Sequence, residues 1–271
     1  MAISIPIAYL VLVPYHFKNF GQSLVATATF SSNILFFLET GYFQPNSELK
    51  PMLHTWSLSV EEQFYIFFPS LMVLLWALGT KKLTLVILLA GLASFSYANW
   101  GSINSPNATF FLIFSRLWEL FIGVIVALIL FRRDLKVSLF VKQVLSLTGV
   151  LAILISVRLF DEFTPFPSYY ALLPTFGAGL IIVFARQGTL THRILFSSPL
   201  VGVGLISYSA YLCHQPLFAF ARHLSVDEPT QSVFLALIVF TFFAAWFSWR
   251  FIEAPFRDRD YFSQGVIFSS P

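Results

Sequence analysis

Apolar stretches bounded by charge, Pro or Asn follow one another along almost the whole chain. Seven of them approach the roughly twenty residues that a helix needs to cross a hydrocarbon core about 30 Å thick. They predict helices near Ser59–Leu78, Leu83–Tyr97, Phe110–Phe131, Val144–Val157, Tyr170–Ala185, Pro199–Phe220 and Ser232–Ile252. Two earlier runs are weaker. Ile3–Val13 is too short to cross unaided, and Gln22–Leu38 is diluted by Gln22, Ser23, Thr27, Thr29, Ser31, Ser32 and Asn33. The pattern as a whole predicts an all-α polytopic transmembrane bundle of about 8 helices. No repeat, low-complexity tract or long linker divides residues 1–271, so a single integral membrane domain is expected.

Composition points the same way. The 271 residues are 57% hydrophobic and only 11% charged, with a mean hydropathy of +0.78, whereas a soluble domain carries about 25% charge. The net charge of +3 is distributed in short clusters beside apolar runs, which suits topology signals and excludes a nucleic-acid face. Cys213 is the single cysteine, so neither an internal disulfide nor a cysteine metal cluster is available. Met1 leads directly into AISIPIAYLVLV without a basic leader or a small-residue cleavage site, so no cleavable signal peptide is expected.

Positive charge also assigns orientation. Lys81 and Lys82, then Arg132, Arg133, Lys136 and Lys142, then Arg186 and Arg193, then Arg257 and Arg259 occupy alternate connections, which are therefore expected to be cytoplasmic. The connections at 98–109, 158–169 and 221–231 carry no positive excess, and Arg158 and Arg222 are balanced there by Asp161, Glu162, Asp227 and Glu228. These connections, and the loop 39–58, are expected to be external.

Charged side chains inside an apolar bundle are costly, about 2.5 to 3.5 kcal/mol each at the bilayer centre on the mildest scale, so those present are candidates for chemistry. Glu61 and Glu62 follow Ser59 as S-x-x-E, the spacing of a helix-capping box, yet a carboxylate facing the bundle would also suit acid or base work on a sugar hydroxyl. Arg116 and Glu119 stand at i, i+3 and can neutralise each other, or Arg116 can meet an anionic group elsewhere. His214 lies in SYSAYLCHQPLFAF behind Ser207, Tyr208 and Tyr211 and ahead of Pro216, whose missing N–H opens the backbone; it is a buried structural histidine or a base. Arg250, Glu253 and Arg257 sit at the inner interface as a topology lock, or as a receptor for a phosphate-rich donor. His54, Trp56 and Trp118 could line the rim of an outer polar cavity containing Glu61, Glu62, Arg116, Glu119 and His214. No H-E-x-x-H, G-x-S-x-G or Gly-rich phosphate loop is present, so acid–base and positional chemistry without metal is expected.

The block LKPMLHTWSLSVEEQFYIFFP, from Leu49 to Pro69, resembles a PLLHTWSLAVEEQFY segment of the acyltransferase-3 family of membrane O-acyltransferases. ATFSSNILFFLETGYFQPNSELKP, SRLWELFIGVIVAL, LISYSAYLCHQPL and WRFIEAPFR are similar to further family segments and occur in family order, with Cys213 and Gln215 where Trp is commoner. The resemblance implies transfer of an acyl group, usually acetyl, from a cytoplasmic thioester such as acetyl-CoA to a hydroxyl of an envelope glycan (lipopolysaccharide, peptidoglycan or exopolysaccharide). The acyl-CoA would be a co-substrate, with no bound cofactor, and the setting would be the bacterial inner membrane. With the residues above it nominates Glu61, Glu62 and His214 as catalytic. His54, Trp56, Ser57, Arg116, Glu119 and Tyr208 would bind substrate, and Arg250, Glu253 and Arg257 would serve structure or the donor side.

IPIAYL, from Ile5 to Leu10, is similar to residues that follow an Arg-rich R-R-x-x-R stretch in the family, and the family's best-supported catalytic histidine precedes that stretch. The expectation is therefore an N-terminally truncated chain, inactive alone, with His16 in the loop after IPIAYL and without the family's frequent C-terminal SGNH-hydrolase-like domain. The alternative class is a transporter or flippase-like protein, which would show two related halves with paired broken helices; no such symmetry is visible.

Overall fold

The computed structural model describes residues 3–40, 47–132, 137–161 and 163–257, apart from the side chains of Thr80 and Arg132. Arg133, Lys136, Glu162, Arg259 and the tail from Asp258 lie outside the described residues. The described residues are helical, joined by turns and without a strand. Helices satisfy their own backbone donors and acceptors, which lipid cannot do. The chain forms two compact units, one from Met1–Ala28, Phe43–Thr55 and Ser198–Pro271, the other from Thr29–Tyr42 and Trp56–Ser197.

In chain order the helices are α1 (Ser4–Val11), α2 (Pro14–Ala28), α3 (Ser32–Leu38), α4 (Thr55–Leu75), α5 (Gly79–Asn104), α6 (Pro106–Phe111), α7 (Leu117–Arg132), α8 (Leu139–Leu159), α9 (Leu172–Phe184), α10 (Leu190–Leu195), α11 (Ser198–Leu224), α12 (Gln231–Ser248) and α13 (Ala254–Arg257). A π-helical turn, Trp249–Glu253, joins the last two. Among the described residues four segments are long and apolar enough to cross a membrane: Thr55–Leu78, Lys81–Asn104, Leu139–Leu159 and Gln231–Arg257. Leu117–Phe131 and Tyr169–Phe184 are apolar but shorter. At 27 residues α11 is long enough, but its polar side chains, among them Ser207, Ser209, His214 and Gln215, leave it short of the apolarity of the other four. This is a membrane protein, and the exposed faces of its long helices, such as Leu151, Leu154 and Val157 on α8, are apolar.

Two of the apolar runs are broken. The run 22–38 divides into α2 and α3 at Phe30, a non-glycine residue in the left-handed region at φ 54°. The Gln63 amide on α4 donates to the Phe30 carbonyl (2.7 Å) and to Asn33 Oδ1 (2.9 Å), and Asn33 Nδ2 reaches the Phe111 carbonyl (3.2 Å). These bonds offset the cost of the left-handed residue. The run 110–131 divides because Ser115 Oγ donates to the carbonyls of Thr109 (2.5 Å) and Leu112 (2.8 Å). Ser94 Oγ on α5 meanwhile donates to the Phe114 carbonyl (2.6 Å) and accepts the Trp118 N–H (3.1 Å). Serine hydroxyls here compete with the helical ladder and end it.

Helix pairs in the second unit use two kinds of contact. Phe64, Leu83, Ile87 and Phe121 form an apolar core from α4, α5 and α7. By contrast α8 buries Ser146, Gly149, Ala152 and Ser156, a small-residue stripe against α9. A Cβ on Gly149 would stand 2.6 Å from the Gly177 carbonyl oxygen, and one on Gly177 would stand 2.8 Å from the Gly149 oxygen. Lipid tails compete for apolar side chains, so close backbone approach between small residues holds such a pair. In the first unit α11 packs on α1 and α12, with Ala8, Ala219 and Ala245 fully buried.

Gly149→Leu is therefore expected to lower the thermal midpoint of detergent-purified protein, the overpacking costing about 1 to 3 kcal/mol. Gly123→Ala, whose Cβ would meet nothing within 4 Å, should be neutral or slightly stabilising. Equal midpoints for Gly149→Leu and wild type would contradict the α8–α9 packing.

Candidate functional site

Helix α4 begins at Thr55, four residues before the expected start, so Ser59 is not an N-cap and S-x-x-E does not form a capping box. Ser59 Oγ instead pairs with Ser32 Oγ at 2.7 Å and accepts the Ser32 N–H at 3.2 Å. Thr55 is fully buried; its hydroxyl donates to the Met52 carbonyl (2.8 Å) and lies 2.9 Å from the Thr27 hydroxyl. The turn after Pro51 is thereby closed, and His54, Trp56 and Ser57 are set at the head of the helix. Ser57 is half-buried on the first turn, whereas Glu61 is exposed and Glu62 half-buried on the second. Neither carboxylate forms an ion pair or side-chain hydrogen bond among the described residues.

In the first unit His54 meets α11. Its ring centroid is 5.0 Å from Tyr211 and 5.2 Å from His214, both edge-on, and Tyr211 and His214 are 5.8 Å apart. The Tyr211 hydroxyl donates to the His54 carbonyl. His214 Nδ1 faces the Tyr211 carbonyl at 2.7 Å. A carbonyl only accepts, so Nδ1 carries a proton, and in the neutral ring Nε2 holds the lone pair. Neither nitrogen of His54 meets a partner at hydrogen-bonding geometry among the described residues, and both are inaccessible to water.

Burial, and next the repulsion between the two imidazoles when both are protonated, push the His54 pKa down to about 3, with the Pro51 carbonyl acting weakly in the opposite sense. His54 is therefore neutral at physiological pH. The segment leading to it is strapped along α11: Gln215 Nε2 donates to the Lys50 carbonyl (3.3 Å), His223 Nε2 to the Leu49 carbonyl (3.0 Å), and Arg222 pairs with Glu48 (3.2 Å) and Glu228 (2.8 Å). His16 lies in α2, not in a loop, with its ring 5.0 Å from His223. Tyr208 is exposed on α11 one turn before Tyr211.

In the second unit the Trp56 ring lies tilted against Phe110 (centroids 4.7 Å apart) and edge-on to Phe111 (5.7 Å). Arg116, only 5% exposed, directs its guanidinium toward Trp56, Phe110 and Phe166 with centroids at 5.1, 5.4 and 4.5 Å. It donates to the Phe110 carbonyl through Nε and Nη2 and pairs with Glu119 at 3.3 Å. The i, i+3 pairing expected from sequence is present, though Arg116 sits at the break before α7 and not within a continuous helix. Three aromatic faces, a carbonyl and one carboxylate compensate the buried charge.

Glu253 accepts a hydrogen bond from Ser209 in the first unit, while Arg250 and Arg257 are exposed. Among the described residues no group of three or more His, Cys, Asp or Glu is placed to hold a metal. The structure thus gathers His54 and His214 in one cluster and Trp56, Arg116 and Glu119 in another. Tyr211, Gln215, Arg222, His223, Phe110 and Phe166 belong to these clusters but did not stand out among the candidates. The spacing of Tyr211 and His214, one helical turn apart, was the one local signal for them.

The acyltransferase domain family matches residues 1–250. A peptidoglycan O-acetyltransferase, OatA, of Listeria monocytogenes is 28% identical over 92% of this chain and 42% of its own length. A putative O-acetyltransferase of Staphylococcus aureus (strain COL) is 31% identical over 81% of this chain and 38% of its own. An O-acetyltransferase, OatA, of Staphylococcus aureus (strain NCTC 8325) is 29% identical over 79% and 37%. The chain spans about two fifths of the length of these relatives. No solved structure matches it.

The depressed pKa of His54 has a sign that can be checked. An unfolded His54 takes a proton near pH 6.5, while the folded one resists until about pH 3, so acid favours unfolding. The contribution is complete above pH 6.5 and is lost progressively as pH falls below it. The thermal midpoint is expected to drop between pH 7.5 and 5 by more in wild type than in His54→Asn, and parallel curves would contradict a neutral, buried His54.

Proposed function

Because the chain belongs to the acyltransferase-3 family, whose acyltransferase domain covers residues 1–250, we propose that it moves an acyl group, most simply acetyl, from an acyl-CoA-type thioester to a hydroxyl of a bacterial cell-envelope glycan. Peptidoglycan is the first acceptor to test, because a similar protein is a peptidoglycan O-acetyltransferase. The proposed setting is the inner membrane, with the donor entering from the cytoplasmic side and its thioester carried to the acceptor, which stands on the outer side.

One observation carries the reading: His214 is held with its proton on Nδ1 and its lone pair on Nε2, beside a second histidine from the 49–69 block. A general base must be neutral, oriented and adjacent to the hydroxyl it activates. In the proposed step the glycan hydroxyl loses its proton to His214 Nε2 and its oxygen attacks the thioester carbonyl. The C–S bond then breaks, and the proton returns to the departing thiolate. Tyr211, through its carbonyl, is the positioning residue that keeps the imidazole in the useful tautomer. Substrate binding is assigned to Trp56, Ser57 and the Arg116–Glu119 pair within the second unit, and to Tyr208 within the first. Glu61, accessible on α4, and Glu62 remain the carboxylates proposed to assist proton transfer, and Arg250, Glu253 and Arg257 the donor-side set.

Membranes carrying the protein at its native length are expected to transfer labelled acetyl from acetyl-CoA to peptidoglycan. His214→Gln should lower the rate by about 10² to 10⁴, the usual contribution of a general base, with Glu61→Gln affecting the rate but not the folded yield. Transfer by His214→Gln within a few-fold of wild type would sink this reading.

A further inference from the structure

We infer that His54 is a catalytic residue, whose neutral imidazole N–H donates a hydrogen bond to the thioester carbonyl oxygen as that oxygen becomes negative. The inference rests on the acyl-transfer reading above and divides the labour between two histidines that the sequence alone does not distinguish. Their surroundings do distinguish them. His214 has one nitrogen committed to the Tyr211 carbonyl and the other free as a base, whereas neither buried nitrogen of His54 has a partner at hydrogen-bonding geometry among the described residues, the Pro51 carbonyl being a weak neighbour only.

Buried polar groups are nearly always paired, and an orphan commonly marks a place where a ligand completes the bonding. The residue is half-buried although both of its nitrogens are inaccessible. Donation to the substrate requires a rotation about χ2, which exchanges each ring nitrogen with a ring carbon. A histidine as hard to protonate as this one is a poor base in neutral solution. A neutral imidazole beside a developing oxyanion is an effective donor that requires no reorganisation of charge.

His54 is also held more firmly than a loop residue. Its carbonyl receives the Tyr211 hydroxyl, and Gln215, His223 and Arg222 fasten residues 48–50 to α11. One helix therefore fixes both histidines, the base directly and the donor through the strap. During reaction the C–O bond forms as the hydroxyl proton passes to His214. The carbonyl oxygen gathers charge against His54 N–H, and collapse of the tetrahedral adduct breaks the C–S bond and protonates the thiolate. The proton on His54 is shared but not transferred, which separates its role from that of His214.

The test is acetyl transfer to peptidoglycan by membranes carrying the native-length protein with His54→Phe or His54→Asn, at matched folded yield. Phe keeps a ring without a donor, and Asn keeps a neutral N–H. Turnover is expected to fall by about 10² to 10³ for His54→Phe, as on removal of an oxyanion donor, and to recover to within about tenfold of wild type for His54→Asn, with the acid limb of the pH profile unchanged. Should His54→Phe not fold, His54→Ala replaces it, and added imidazole at pH 8 is expected to raise its turnover. Wild-type turnover in His54→Phe, an Asn variant as inactive as Phe, or no rescue of Ala overturns the donor role alone. Absence of transfer by wild type overturns the acyl-transfer reading and this role with it.

Discussion

The hydroxyl of Thr55 is the small group on which the arrangement depends. It is buried, donates to the Met52 carbonyl and meets the Thr27 hydroxyl, so the first turn of α4 starts at one residue. On its N-terminal side His54 is delivered to Tyr211 and His214. On its C-terminal side Trp56 is delivered to Phe110 and Arg116. A buried hydroxyl must be satisfied within the protein, and a shift of one residue at this turn would rotate every later position of α4 by about 100°. The Ser59–Ser32 bond and the Gln63–Phe30 bond repeat the device one and two turns further along.

The same economy governs the rest of the fold. Apolar side chains gain little from packing on one another where lipid is the alternative solvent, so specificity comes from small residues and polar contacts. The α8–α9 pair uses Gly149 and Gly177, the α5–α7 approach uses Ser94, and α3 is fastened through Asn33 and Gln63. Polar residues scattered through apolar runs accordingly serve different ends. Those engaged by the backbone, such as Ser94 and Ser115, shape helix ends. His214, with an open lone pair, and His54, with unpaired nitrogens, carry the chemistry proposed above.

Much of this was legible in the sequence. Hydropathy located the long helices, because lipid rewards an uninterrupted apolar run whatever its neighbours, and the i, i+3 spacing placed Glu119 against Arg116. The breaks were not legible. Nothing near Phe30 marks a left-handed residue, since the stabilising amide comes from Gln63, and the end of α6 depends on serine hydroxyls whose carbonyl partners are settled only on folding. The capping-box reading of Ser59 failed for the same reason, its partner Ser32 lying 27 residues upstream. Among the functional residues, His54 and His214 stood out singly, yet their meeting, and the part played by Tyr211 and Gln215, requires contacts between positions 157 and 165 residues apart.

The dependence on Thr55 is tested most directly by comparing Thr55→Ser with the near-isosteric Thr55→Val in the native-length protein, scored as acetyl transfer to peptidoglycan per mole of folded protein. Ser retains the hydroxyl and should preserve most of the activity. Val keeps the shape but removes both hydrogen bonds, and at least a tenfold loss is expected, the scale of about 1.4 kcal/mol for one misplaced catalytic contact. Equal activity of Thr55→Val and wild type would show that the entry to α4 is fixed by something other than this hydroxyl.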